Sequence, residues 1–188
     1  MTARIDTAAC EPHHAAPRGA RATDRTMPLA TVRTLAAGAH VGDLVFIRER
    51  AGAPDAATGA AGAWANRFGI VVDTSGDEPA IAESTAFGWT TLTPLSRFVA
   101  RTGGGRIAVA RRVAAASADA QRHVHALAER RIDALLGSRF NLRARRGFCA
   151  QYVAEVLGAG HAATPSALLR SGTLALEFDG IVFDPRQP

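Results

Sequence analysis

Cys149 is the residue whose type and position most directly favour chemistry in this chain. It lies at the start of a segment in which Phe148, Tyr152 and Val156 recur at helical spacing. We therefore predict a helix that begins beside the cysteine, where unpaired N–H groups favour negative charge. Such a position lowers the pKa of a thiol, so we expect Cys149 to titrate below about 8.5 as a primed nucleophile. The alternative is a buried structural cysteine, because free thiols are often buried.

Length and composition fit one globular domain with a sizeable core. The chain has 188 residues, of which 47% are hydrophobic and 21% charged. Residues 1–27 mix Ala, Thr, Arg, His and Pro without periodicity, so we expect a disordered leader followed by a domain over 28–188. The 2 cysteines are too few for a disulfide framework or a metal-ligand set. We therefore expect free thiols, no metal and no cofactor.

The charge pattern favours anionic partners over a specific nucleic acid. The net charge is +5, and every basic residue is Arg, as is typical of a GC-rich bacterial genome. Guanidinium groups bind carboxylates and phosphates, but the interleaved aromatics and zinc spacing of nucleic-acid readers are missing from the sequence. The sequence also shows neither a secretory signal nor an apolar run of membrane-spanning length. Cytoplasm is therefore the default expectation, while export by a dedicated secretion machine stays open.

The elements that must position Cys149 are strands followed by helices. β-Prone runs predict strands over 40–48, 64–73, 79–84 and 106–113, with an edge strand over 174–183. Helices are predicted over 28–37, over 117–136 with Ser117 as the N-cap, and from 148 onwards. Further helix starts are predicted at Thr93, with Pro94 in the first position, and at Thr164 before Pro165. This order predicts an α+β fold in which a small antiparallel sheet or barrel packs against helices.

Several segments in a fixed order carry a family resemblance over roughly 41–169. The segments are Gly42-Asp43-Leu44-Val45-Phe46, Asn66-Arg67-Phe68-Gly69-Ile70-Val71-Val72, Ile81-Ala82-Glu83, Phe148-Cys149-Ala150-Gln151 and Thr164-Pro165-Ser166. In this order they resemble the circularly permuted NlpC-like papain superfamily, in the branch with YiiX- and YebB-like proteins. The resemblance implies a permuted papain-like fold in which the strand carrying the catalytic His precedes the Cys helix.

The resemblance also implies roles for three residues. Cys149 takes the nucleophile position, Glu83 takes the orienting position, and Arg67 falls where the family has its His. A guanidinium cannot act as a general base near neutral pH, although its charge can stabilise a thiolate or an oxyanion. We predict an Arg67–Glu83 ion pair across neighbouring strands. A simple missing-base account further predicts that Arg67→His raises the turnover of an acyl ester.

Other side chains offer alternatives around the same site. His40 or His161 replaces the missing base if either lies within hydrogen-bond reach of the thiol. Arg146 and Asn66 are candidate substrate-binding residues. Arg146 closes an arginine-rich stretch that can attract an anionic substrate or can simply be a solvated basic loop.

Two functions follow from the resemblance. The first is a papain-like thiol hydrolase, amidase or acyltransferase that acts on an amide or ester through a Cys149 thioester, impaired by Arg67. Its substrates would be cell-wall peptides or lipid-like acyl groups, including anionic ones, with peripheral membrane or cell-wall contact. The second is a non-catalytic relative that binds a ligand or protein in the inherited cleft. The sequence does not indicate an oligomeric state.

Overall fold

The computed structural model describes residues 29–49, 64–85, 87–102, 105–113, 117–138, 141–160 and 164–181. Two subjects of the sequence predictions lie outside these residues: the leader over 1–27 and His161. No helix in the described part of the chain is long and apolar enough to cross a membrane.

Six antiparallel strands form one sheet, in the order β4-β3-β2-β1-β5-β6. The strands are β1 Leu44–Ile47, β2 Arg67–Asp73, β3 Ala80–Ser84, β4 Thr90–Pro94, β5 Arg106–Arg112 and β6 Leu174–Ile181. β2 and β3 form an antiparallel hairpin, and the predicted edge position of β6 is confirmed. Together with the helices this confirms the predicted α+β class.

Six helices surround the sheet in the described part of the chain. They are α1 Leu29–Ala36, α2 Leu95–Val99, α3 Ala118–Leu136, α4 Leu142–Arg145, α5 Phe148–Glu155 and α6 Pro165–Arg170, and a 3₁₀ turn, Ala100–Thr102, follows α2. Ser117 accepts a hydrogen bond from the Ala120 amide, and Thr164 accepts one from the Ala167 amide. The N-caps predicted at Ser117 and Thr164 are therefore confirmed, because each side chain satisfies an amide that a helix start leaves unpaired.

Alternate residues of the strands divide the core between the two faces of the sheet. One face, here called the α5 face, packs under α3, α5 and α6 and buries Leu44, Phe46, Ile70, Val72, Ala82, Ala108 and Ala110. The opposite face, here called the α2 face, packs under α1 and α2 and buries Val45, Ile47, Val71, Ile81, Ile107 and Val109. Both faces are thus covered by helices, and a side chain on a strand reaches only one of them.

Gly69 allows α2 to lie close to the sheet. A Cβ atom at this position would lie 2.3 Å from Cγ2 of Ile81 and 3.2 Å from the ring of Phe98 in α2. Those distances are too short for ordinary contact, so only glycine fits between these side chains. The close packing holds the 3₁₀ turn, and Arg101 within it, near β3.

The predicted helix start at Thr93 is wrong. Thr93 lies in β4, α2 begins at Leu95, and no side chain caps this helix. The Thr93 hydroxyl instead donates a 2.5 Å hydrogen bond to the Glu83 carboxylate. A partner in the neighbouring strand has displaced the local capping interaction that the sequence favours.

Candidate functional site

The first turn of α5 is fixed to the turn between β3 and β4. Gly147 has a positive φ of 71°, and its amide donates a 2.9 Å hydrogen bond to the carbonyl of Gly88. The adjacent residues Trp89 and Arg146 form an isolated antiparallel bridge. These contacts aim the start of α5, and with it Cys149, at β3.

Cys149 packs into the α5 face of the core. Its side chain is 3% exposed, and its Sγ lies 3.6 Å from the carbonyl oxygen of Ala82, to which the thiol donates. The pKa of the thiol is raised to about 11, and burial is the largest cause. A hydrogen bond from Ser84 opposes burial, the Glu83 charge adds to it, and the Arg67 charge opposes it. The expectation of a lowered pKa is therefore wrong, because loss of solvent outweighs the favourable helix terminus.

The predicted ion pair between Arg67 and Glu83 is present on the neighbouring strands. Arg67 donates to Oε2 of Glu83 from Nε at 3.0 Å and from Nη2 at 2.7 Å. Its Nη1 also donates to Oε2 of Glu49, at 2.6 Å. The Arg67 guanidinium is therefore held by two carboxylates.

Two further groups complete the environment of Glu83. Arg101 donates from Nη1 to Oε2 at 2.5 Å and from Nη2 to Oε1 at 2.7 Å, and Thr93 donates to Oε1. Burial on its own raises the pKa of Glu83, but hydrogen bonds from Arg101 and Thr93 and the charges of Arg101 and Arg67 outweigh burial and hold the pKa below 4.5. The buried carboxylate is thus ionised and fully hydrogen-bonded. Sequence reasoning missed Arg101, which no motif distinguishes from the other arginines.

Glu83 and the three side chains that donate to it, Arg67, Arg101 and Thr93, are here called the charged cluster. Strand alternation places this cluster and the thiol on opposite faces of the sheet. Arg67 pairs with Ile47, a core residue of the α2 face, and Glu83 bonds to the turn that follows α2. Cys149 packs from the α5 face against the backbone of β3. The resemblance implies one site formed by Cys149, Arg67 and Glu83, but their side chains lie on opposite faces of the sheet, although both charges still act on the pKa of the thiol.

Phe68, like Ile70 and Val72 of the same strand, lies on the same face of the sheet as Cys149. It packs against the core of the α5 face, and its ring centroid lies 6.0 Å from that of Phe46. A base at position 67 points away from the thiol in this arrangement, whereas a base at position 68 would share its face.

The histidines of the described chain do not contact the thiol. His40 Nδ1 lies 3.0 Å from the Gly38 carbonyl and contacts the guanidinium of Arg111, beside Asp43. His123 and His125 are exposed on α3. No group of three or more His, Cys, Asp or Glu residues that could hold a metal ion occurs among the described residues.

The two candidate substrate-binding residues have structural partners. The Asn66 side chain exchanges hydrogen bonds with the backbone of Glu49, at 2.8 Å and 3.3 Å. The guanidinium of Arg146 lies over the ring of Trp89, 5.9 Å from its centroid, and the residue remains exposed beside the start of α5. Arg146 is therefore available to a ligand, while Asn66 serves to join the ends of β1 and β2.

A known protein family matches most of the chain. Residues 38–172 match the family described as permuted papain-like amidase enzyme, YaeF/YiiX, C92. The crystal structure of the metalloprotein YiiX from Escherichia coli O157:H7 is 17% identical over 76% of this chain and 98% of its own, with a TM-score of 0.43. No curated protein matches the chain.

Proposed function

The chain belongs to the permuted papain-like amidase family, and from this premise we propose that it is a catalytically lapsed member that binds an amide- or ester-bearing ligand without cleaving it. One observation carries the proposal. The Cys149 thiol is buried against a strand carbonyl, and the described histidines and Arg67 all lie elsewhere. A thiol amidase needs a thiolate and a base beside it, and this arrangement provides neither.

The pKa of Cys149 bears directly on the first step of such a reaction. A pKa of about 11 leaves roughly one thiol in 10⁴ ionised at pH 7. An attack on a carbonyl also needs a proton donor for the leaving group, and general acid–base catalysis supplies about 10²–10⁴-fold. The Arg67 guanidinium cannot exchange that proton, and its donors already face Glu83 and Glu49.

The surface at the start of α5 supports a ligand with apolar and anionic parts. Phe87 is 80% exposed beside the turn that holds α5. Arg146 is exposed over the ring of Trp89, which follows Phe87 in the same turn. An acidic peptide or a lipid-like acyl chain with an anionic group matches this combination of an apolar side chain and a cation.

A working thiol amidase is the second candidate. Family membership and the position of Cys149 in the first turn of α5 favour it. This function requires a rearrangement that exposes the sulfur and brings a base to it. His161, outside the described residues, is the residue from the sequence analysis that stays open for this role.

Hydrolysis of p-nitrophenyl acetate, compared between the natural chain and Cys149→Ala, tests the proposal. We expect the two rates to agree within about twofold, because the thiol contributes almost no thiolate. A rate that falls tenfold or more in Cys149→Ala would establish the working hydrolase instead. His161→Ala then tests the base: the same fall in that variant would identify His161, and an unchanged rate would exclude it.

A further inference from the structure

A cleft on the α5 face lies at some distance from Cys149. It has a volume of about 300 Å³ and is lined mainly by Trp64, Arg106, Leu169, Arg170, Leu176 and Asp179. These residues come from the segment before β2, from β5, from α6 and from β6. Since β5 is three strand positions away from β3, the cleft is separated from the thiol by roughly 14 Å across the sheet.

Arg106 forms a preorganised cation in the wall of this cleft. Its guanidinium lies over the Trp64 ring at 4.5 Å from the centroid, and its Nε and Nη2 donate to the two carboxylate oxygens of Asp179 at 2.7 and 2.5 Å. A guanidinium carries five N–H donors in a fixed plane. The contacts with Asp179 use two of them, and no other described residue accepts a hydrogen bond from the remaining three.

Arg170 adds a second cation that is not neutralised within the described part of the chain. It is the last residue of α6, it is exposed, and it forms no ion pair with a described residue. The charges of Arg106, Arg170 and Asp179 therefore leave the cleft with one net positive charge. Leu176, which is 54% exposed, and Leu169 supply an apolar wall beside these cations.

We propose that this cleft binds a small carboxylate with an aliphatic or aromatic body, independently of Cys149. The carboxylate lies between the guanidinium groups of Arg106 and Arg170, and the body lies against Leu169 and Leu176. A volume of about 300 Å³ is at the small end of ligand-binding clefts. The site therefore fits a short-chain or single-ring acid, not a polymer.

Trp64 provides a direct optical readout of binding. The chain has 2 Trp residues, so the Trp89→Phe variant leaves Trp64 as the only tryptophan fluorophore. Titration of this variant with octanoate should give a saturable change in emission. Octanamide, which has the same body without the charge, should bind at least about tenfold more weakly, because it loses the charge-assisted hydrogen bonds.

Two substitutions in this background locate the carboxylate. Arg170→Ala should weaken octanoate binding by about tenfold or more and leave octanamide binding unchanged. Arg97→Ala is the matched control, because it removes an exposed arginine from α2, on the other face of the sheet. Both variants should keep the circular dichroism spectrum and melting temperature of the parent, since both side chains are exposed.

Three results would overturn the proposal: equal binding of octanoate and octanamide, an unchanged octanoate affinity in Arg170→Ala, or no saturable response at all. Cys149→Ala should leave octanoate binding intact. The cleft and the proposed loss of catalysis therefore stand or fall on separate measurements.

Discussion

A buried ionisable group is charged on one face of the sheet and neutral on the other. Glu83 is 2% exposed and Cys149 is 3% exposed, and burial alone disfavours ionisation of both. Yet Glu83 has a lowered pKa and Cys149 a raised one. Two guanidinium groups and a hydroxyl surround Glu83, whereas the thiol meets a backbone carbonyl and a serine. The partners of a buried group, more than the depth of its burial, decide whether it carries charge.

Removal of Glu83 tests the charged group of this pair and should have the largest effect on stability. Glu83→Ala leaves Arg101 without its described carboxylate partner, and loss of one member of a buried pair costs about 3–5 kcal/mol. Because the Arg67 and Arg101 side chains are 29% and 23% exposed, we expect the lower end, about 3 kcal/mol of unfolding free energy. Urea unfolding measures this loss.

Glu129→Ala is the control for that measurement, because Glu129 is exposed on α3 and should cost less than about 0.5 kcal/mol. A loss below about 1 kcal/mol in Glu83→Ala would contradict the importance of the charged cluster for stability.

The dependence of the unfolding free energy on pH in acid gives a second check of Glu83. Since the folded pKa of Glu83 is lowered from 4.5, its contribution is present above that pH and is lost as pH falls through the lower folded value. Glu83→Gln should remove this part of the acid dependence.

Alkylation of Cys149 by iodoacetamide tests the neutral side of the comparison. The pKa rises from 9.0 to about 11, so the thiolate fraction near pH 8 falls about a hundredfold. In a Cys10→Ser background, labelling of the folded protein should therefore be at least about a hundredfold slower than labelling in urea and should accelerate up to about pH 11. A labelling midpoint at or below pH 9 would show that the thiol is primed after all.

Thr93→Val examines a single contact of the charged cluster. The substitution removes the 2.5 Å hydrogen bond to Glu83 while it keeps a β-branched side chain in β4. Hydrogen bonds to charged groups contribute about 1.5–3 kcal/mol, so we expect a loss of about 1.5 kcal/mol in urea unfolding. Thr91→Val, at an exposed position of the same strand, should change stability little. Equal effects of the two substitutions would remove Thr93 from the cluster.

Histidine substitutions on the two faces of β2 are expected to have the smallest effect. They test most directly which face of β2 the thiol meets. Arg67→His places an imidazole on the α2 face, so it should not raise acyl ester hydrolysis, contrary to the simple missing-base account. Phe68→His places one on the face of Cys149 and should raise thiol-dependent hydrolysis by about tenfold, less than a fully positioned base supplies. The Cys149→Ala double variants are the controls. A greater gain from Arg67→His would show that the thiol and position 67 meet.

Local signals in the sequence predicted most of the fold. The caps at Ser117 and Thr164 were predictable because a hydroxyl next to a helix start satisfies its amides without help from the rest of the chain. The α5 helix was predictable from its apolar spacing. The Arg67–Glu83 pair was also predictable, since the family resemblance places both residues on adjacent strands.

Features that depend on contacts distant in sequence escaped prediction. The burial of Cys149 depends on α5 packing over β3, which no local pattern encodes, so the pKa of the thiol was predicted in the wrong direction. Arg101 reaches Glu83 only because α2 packs tightly on the sheet. The cleft near Trp64 combines residues from four separate segments, and a sequence pattern does not bring such residues together.

Position 69 separates the contributions of the two guanidinium groups that hold Glu83. Arg67 reaches the carboxylate from β2 itself, whereas Arg101 reaches it from the turn after α2. A methyl group at Gly69 would collide with Ile81 at 2.3 Å and would also press on the Phe98 ring of α2 at 3.2 Å. The hydrogen bonds from Arg101 to Glu83 would lengthen, while those from Arg67 would persist. The absence of a side chain at position 69 thus governs how closely Arg101 approaches the buried carboxylate of Glu83.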